Sequence, residues 1–379
     1  MQEKGWSLRD VRAALRSTRD EDWSFSRGEI LGSMCTAPHE VAAEANAQFL
    51  ETNLGDPGHF PGTARLEQEA LEDLLRMSHA PRGAEGRFLS GGTEANLLAA
   101  YVAREKTGGN RIVVPESGHF SFEKAARLLG MERVVVPCLP SGHADAAALA
   151  KAVTKDTALV VAVAGTTELG LVDPVADIAA QASRKDFLLH VDAAYGGYIL
   201  PFLADASREA VMWDFALPGV WSIGLDPHKF GMAPIPTGVL LLRDGKDWSR
   251  TAVESPYVST DRQSTLLGTR PGAAVAATWA VHRHLGRDGF ASVVETCLDN
   301  AAYLAAHLQA LGVELCASPE LAVVTFRARD PRRLQAALAE RGFRLNVVPR
   351  LVALRIVVNP HVTRDDLDRF LAALKGCLA

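Results

Sequence analysis

Four short stretches hold residue types that could do chemistry together. Lys229 closes Ser222-Ile-Gly-Leu-Asp-Pro-His-Lys229, just past an apolar, strand-like run. A lysine desolvated at such a place gives up its proton and attacks carbonyls; its plainer reading is a surface cation. Asp192, in His190-Val-Asp-Ala-Ala-Tyr-Gly-Gly197, also ends an apolar run. It either caps a turn or holds a protonated heterocyclic nitrogen, with Ala193, Ala194, Gly196 and Gly197 small enough to admit a flat ring. Leu89-Ser-Gly-Gly-Thr-Glu-Ala-Asn96 opens a helical stretch. Its small residues either bare the first backbone N–H groups to an anion, or Ser90 or Thr93 caps the helix in the ordinary way. His119, in Pro115-Glu-Ser-Gly-His-Phe120, either makes a structural hydrogen bond or lays its ring on a planar ligand.

Taken in order, an anion-binding helix start, a histidine, a strand-end acid and a strand-end lysine are the parts a pyridoxal phosphate site needs. The phosphate takes the helix start, the ring nitrogen takes the acid, and the aldehyde takes the lysine. The sequence holds neither GxxxxGK[ST] nor GxGxxG, so triphosphate and dinucleotide binding lose their main support. The five cysteines form no CxxC pair, which argues against a zinc ribbon, and no metal site is expected.

The elements that must position these residues follow from patterning. Short apolar runs (Arg111–Val114, Arg133–Pro137, Ala158–Ala164, Phe187–Val191, Val220–Leu225, Gly238–Leu242) alternate with helical stretches at 93–107, 120–129, 144–153 and 174–184. That alternation predicts an α/β fold with a buried, mostly parallel sheet. After Gly268, helices at 272–285 and 291–311, strands at 321–327 and 354–358 and a helix at 364–374 predict a smaller α+β domain. The division is an N-terminal arm (1–50), a large domain (51–280) and a small one (281–379). The polar first thirty residues read as an amphipathic arm. With 40 Lys+Arg against 45 Asp+Glu the chain has no nucleic-acid-binding field. No apolar run approaches the ~20 residues a membrane span needs. A cytoplasmic enzyme acting on a small molecule is the expectation.

Longer motifs carry a resemblance. The stretches 30–39 (ILGSMCTAPH) and 51–63 (ETNLGDPGHFPGT), SGGTEAN, HVDAAYGG, DPHKFGMAPIPTG, LLGTRPG and LRIVVNPHVT together resemble the group II pyridoxal-phosphate-dependent decarboxylases of fold type I. The likeness is greatest to the archaeal L-tyrosine/L-aspartate decarboxylases. Sphingosine-phosphate lyase and the glutamate and aromatic amino-acid decarboxylases are more distant kin. The resemblance implies a seven-stranded, mostly parallel sheet and a homodimer with active sites at the subunit interface. It implies that Lys229 bonds the cofactor aldehyde, Asp192 pairs with the ring nitrogen, and His119 and Ala194 flank the ring. Gly92, Thr93 and His228 would bind the phosphate, with Thr269 reaching across from the neighbouring subunit. Thr167 would touch ring or substrate, Arg355 would hold the substrate carboxylate, and Tyr257 would protonate the α-carbon. His39 is expected on the substrate wall with Met34, Cys35, Phe60 and Thr63, a set that tilts the choice toward tyrosine over aspartate. Asp226 stands where aromatic decarboxylases have Asn; because a carboxylate repels a phosphate, it is expected to turn toward backbone donors. Glutamate decarboxylation, a retro-aldol lyase, an aminotransferase, a desulfurase using Cys35, and a binding module without catalysis remain the alternatives.

Overall fold

A computed structural model describes residue 1 and residues 3–378. The strands are β1 (Glu85–Leu89), β2 (Arg111–Pro115), β3 (Glu132–Val136), β4 (Thr157–Val163), β5 (Leu189–Asp192), β6 (Val220–Leu225), β7 (Gly238–Leu242), β8 (Val253–Glu254), β9 (Arg262–Gln263), β10 (Val323–Arg327), β11 (Asn346–Val348) and β12 (Ala353–Val357). The helices are α1 (Leu8–Asp20), α2 (Glu40–Gln48), α3 (Pro61–Met77), α4 (Gly92–Thr107), α5 (Ser121–Leu129), α6 (Ala146–Ala152), α7 (Val175–Lys185), α8 (Gly272–Ala310), α9 (Pro331–Ala339) and α10 (Arg364–Leu378).

Seven strands form one sheet in the order β1-β7-β6-β5-β4-β2-β3. Pairing is parallel from β6 through β5, β4 and β2 to β3, while β7 runs antiparallel to both β6 and β1. The apolar runs are continuous because both faces are covered. On β4, Val160 and Ala162 enter one core, while Leu159, Val161 and Val163 enter the other. Helix α4 fills the second core with Leu98, Ala99, Val102 and Ala103, none of which touches solvent. A three-stranded antiparallel sheet, β10-β12-β11, follows in the last third of the chain.

The two helices that the sequence separates near residue 286 are present: α8 is interrupted at Gly286 (φ 58°, ψ −167°), where the backbone leaves helical geometry and one helix gives way to the next across a kink. Leu8, Val11 and Leu15 lie on one face of α1 at helical spacing, and no residue of α1 is buried. Among the described residues no helix is long and apolar enough to cross a membrane.

Candidate active site

Strand direction brings the candidate residues to one edge. The carboxyl ends of β1, β2, β4, β5 and β6 feed the loops that carry Gly92, His119, Gly165–Thr167, Asp192 and Lys229. Open α/β sheets bind ligands outside these ends. A cavity of about 520 Å³ lies there. Gly92, Thr93, His119, Thr167, Asp192, Ala194, His228 and Lys229 all line it, with Asn96, Tyr195 and Asp226. Phe120, Ile235, Pro236, Leu266 and Leu267 form an apolar part of its wall.

The anion cradle is set by close backbone packing. A Cβ on Gly238, at the start of β7, would fall 2.4 Å from Gly91 Cα, so β7 can press the loop after β1 into place only as glycine. Gly91 (φ 137°) is the N-cap of α4 and offers no side chain to its first amides. Neither Ser90 nor Thr93 caps the helix: the Ser90 N–H and Oγ–H both donate to Glu94 Oε2 at 2.7 Å. The opening amides of α4, with their share of the helix dipole and no side-chain cap, therefore border the cavity.

Asp192 sits in an oriented network. Asn96 Nδ2 donates to Asp192 Oδ2 at 2.8 Å, and the Ala194 N–H donates to Oδ1 at 3.1 Å. A carboxylate only accepts, which fixes the Asn96 amide: its Oδ1 faces His190 Nε2 at 3.0 Å, so His190 donates there. His190 Nδ1 then accepts from Ser222 Oγ at 2.8 Å. Complete burial pushes the His190 pKa down to about 4, keeping this ring neutral. The second Asn96 N–H donates to Ser121 Oγ at 2.9 Å, and that hydroxyl donates to His119 Nδ1, also at 2.9 Å. Burial lowers the His119 pKa too, against the pull of Asp192. One amide thus orders both the acid and the ring of the candidate site. Asn96 was not singled out in the sequence; its only signal was a polar side chain on the buried face of an Ala/Leu-rich helix.

Lys229 projects into the cavity with a side chain only 17% exposed. Its Nζ lies 3.1 Å from Asp226 Oδ2. Burial lowers the lysine pKa, but Asp226 and Asp192 outweigh it and the net direction is upward. The expectation that Asp226 turns to backbone donors is therefore corrected. Oδ2 pairs with the amine and Oδ1 is buried without a hydrogen-bond partner, because the turn from β6 places the amine within reach.

Eight candidate residues lie outside this cavity lining: Met34, Cys35, Phe60 and Thr63 of the expected substrate wall, together with His39, Arg355, Tyr257 and Thr269. His39 is the N-cap of α2, its Nδ1 accepting from Val41 N–H at 3.3 Å, with its ring 4.9 Å from that of His284. Arg355, on β12, is buried and donates to the carbonyls of Thr167 (2.5 Å) and Gly32 (2.7 Å). It thus stands behind the wall residue Thr167, and its Nε has no partner. Tyr257 is 89% exposed in the turn between β8 and β9, and Thr269 is exposed before α8.

The residues present fit pyridoxal phosphate. The open amides of α4 suit a phosphate, Asp192 retains lone pairs for a ring N–H, and the only lysine in the lining is Lys229. Among the described residues no group of three or more His, Cys, Asp or Glu is arranged to hold a metal ion.

Comparison with known proteins agrees with this geometry. Residues 33–329 match the model of the pyridoxal-dependent decarboxylase conserved domain. A probable L-tyrosine/L-aspartate decarboxylase of Methanothrix thermoacetophila is 43% identical over 99% of this chain and 97% of its own. One of Methanoculleus marisnigri is 43% identical over 98% of each. Among solved structures, the sphingosine-1-phosphate lyase of Burkholderia pseudomallei superposes with a TM-score of 0.90 at 28% identity, over 100% of this chain and 92% of that one.

Proposed function

Since the chain belongs to the pyridoxal-dependent decarboxylase family, with its fold type I architecture, we propose that it releases CO₂ from L-tyrosine, giving tyramine, with L-aspartate as the second candidate. The convergence of Lys229, Asp192, His119 and the α4 N-terminus on one cavity carries this reading. Bound pyridoxal phosphate supplies a protonated heteroaromatic ring that takes up the electron pair left by departing CO₂. The chain's residues make that useful. The Gly92 and Thr93 amides and His228 hold the phosphate, and Asp192 keeps the proton on the ring nitrogen. His119 and Ala194 confine the ring between them, and Lys229 bonds the aldehyde. Arg355, which stands behind Thr167 and donates to the Thr167 and Gly32 carbonyls, would reach the substrate carboxylate by exchanging one of those bonds for it, with Thr167 beside it. His39 would belong to an outer substrate wall beyond the cavity lining. The names of the relatives support both substrates. The apolar wall of Leu97, Phe120, Ile235, Leu266 and Leu267, with no arginine in the lining, favours the aromatic one.

The active unit in this reading is a homodimer, with Thr269 and Tyr257 serving the neighbouring cavity. Three observations support it: the unpartnered Leu8-Val11-Leu15 face of α1, the apolar rim at Phe120, Ile235, Leu266 and Leu267, and the outward Tyr257. The five free cysteines suit a reducing cytoplasm. The division into 1–50, 51–280 and 281–379 is retained, with Gly286 of α8 as its natural hinge.

The test is a panel of tyrosine, aspartate, glutamate and a phosphorylated amino alcohol, scored for CO₂, amine and aldehyde. Tyramine production supports the reading, and aldehyde from the amino alcohol without CO₂ would replace it with a retro-aldol lyase. Tyr257→Phe should keep the cofactor's absorbance and lose amine formation; undiminished turnover removes that assignment.

A further inference from the structure

The site places an anion where its other parts welcome one. Asp226 is 2% exposed, and its Oδ2 lies 3.1 Å from Lys229 Nζ and 3.8 Å from His228 Nε2. A Cβ built on Gly92 would stand 2.8 Å from the same oxygen, so the carboxylate also borders the phosphate cradle. Oδ1 has no partner at all. A buried carboxylate beside an anion site is costly unless a cation answers it. The only ion pair that Lys229 makes among the described residues is the one with Asp226.

Resting on the pyridoxal phosphate reading of the site, we infer that Asp226 is the dock for the free Lys229 side chain. It holds the amine as an ammonium ion, parked away from the reaction, whenever that amine is not bonded to the cofactor. When the substrate's amine takes over the bond to the aldehyde carbon, the C=N bond to Lys229 Nζ breaks and the two hydrogens of the incoming amine pass to Nζ. One further proton from solvent makes it an ammonium ion with no change of oxidation state, free to swing onto Oδ2. So held, it does not compete with the substrate for the aldehyde. Other groups face the pair from every side: Asp192 from the end of β5, His119 from the loop after β2, Cys35 from the N-terminal segment, Tyr198 from the turn after β5, and His228 within the same loop. Of the two carboxylates, Asp192 is held in place by Asn96 and Ala194 with its remaining lone pairs kept for the ring N–H, which leaves Asp226 to the amine.

The inference has a direction that a merely structural role lacks. Burial alone drives a lysine toward its neutral, nucleophilic form. Removing the carboxylate therefore makes Lys229 more reactive at neutral pH. The full-length chain, freed of cofactor, is labelled with acetic anhydride across pH 6–11, and acetylation at Lys229 is followed by mass spectrometry. The wild-type midpoint should lie at or above the ordinary lysine value of about 10.4. Asp226→Asn should lower it by at least one unit, raising labelling at pH 8 about tenfold, and Asp226→Glu should restore it. A wild-type midpoint well below the ordinary value overturns the inference even if the variants fail to fold, as does an unshifted midpoint in folded Asp226→Asn. Wild-type chain that takes up no pyridoxal phosphate would instead overturn the site reading beneath it.

Discussion

Asn96→Leu tests the network that orders the site. The leucine keeps the branched outline, at somewhat larger volume, but removes every polar contact. Asp192 Oδ2, buried at the cavity wall, and Ser121 Oγ each lose a donor, and the His190 Nε2–H, fully inside the protein, loses its acceptor. Each buried group left unsatisfied costs roughly 1–3 kcal/mol, and more when it is charged. Burying the apolar leucine returns roughly 1–2 kcal/mol. The net loss centres on about 2–3 kcal/mol, a large share of the roughly 5–15 kcal/mol that holds a domain folded. Urea unfolding followed by circular dichroism should show a lower midpoint with an unchanged slope. Turnover should fall about a hundredfold even where the chain stays folded, since Asp192 is no longer aimed. Asn96→Asp adds a contrast: it places a second carboxylate 2.8 Å from Asp192, and two such groups cannot both ionise. One carboxyl pKa is then raised, so the stability of this variant should fall as pH rises. A loss below about 1 kcal/mol for Asn96→Leu, with turnover intact, refutes the argument.

Two further predictions rest on specific atoms. Gly92→Ala puts a methyl 2.8 Å from Asp226 Oδ2 and 3.3 Å from Ala194 Cβ, inside the phosphate cradle, and should weaken pyridoxal phosphate affinity at least tenfold, read by fluorescence titration; unchanged affinity would move the phosphate elsewhere. The pH dependence of folding should be flatter below neutrality than either of two buried groups alone would make it. His190, depressed to about 4, contributes stability present above its unfolded pKa and lost as pH falls. Asp173, raised by burial to about 6 despite accepting from the Ala144 and Val163 N–H groups, contributes stability present at low pH and lost as pH rises. Asp173→Asn removes the opposing member, so between pH 4 and 6 its stability should climb more steeply with pH than that of the wild type; parallel urea profiles contradict this.

Much of this arrangement was legible in the sequence because burial on both sheet faces writes itself as unbroken apolar runs. Strands β2 and β4 to β7 follow from that signal, as do the loops that leave their ends; β3, at the sheet edge with Val135 exposed, shows as an apolar run without being covered on both faces. Strand β1 was not visible: Glu85-Gly-Arg-Phe-Leu89 mixes charge and glycine, and it is a strand because β7 pairs with it across the full register. Helix α3 begins at Pro61 inside a motif read for its resemblance, and its periodic face meets α8, two hundred residues later. The site splits the same way. Lys229, Asp192 and His119 stand out by type and by following strands. The role of Asn96 depends on partners nearly a hundred residues away, brought together by tertiary packing that spacing along the chain does not encode. The Asp226–Lys229 pair is local, three residues apart in one turn, and escapes a reading that weighs Asp226 only against the phosphate.

The central claim is that Lys229 is the residue that bonds pyridoxal phosphate. Its most direct test is borohydride reduction of the purified, cofactor-loaded chain, followed by digestion and mass mapping. The account predicts one reduced pyridoxyl phosphate per chain, attached at Lys229 and absent from Lys229→Ala. The adduct on a different lysine, or an unmodified Lys229 in a chain that has bound the cofactor, would contradict it.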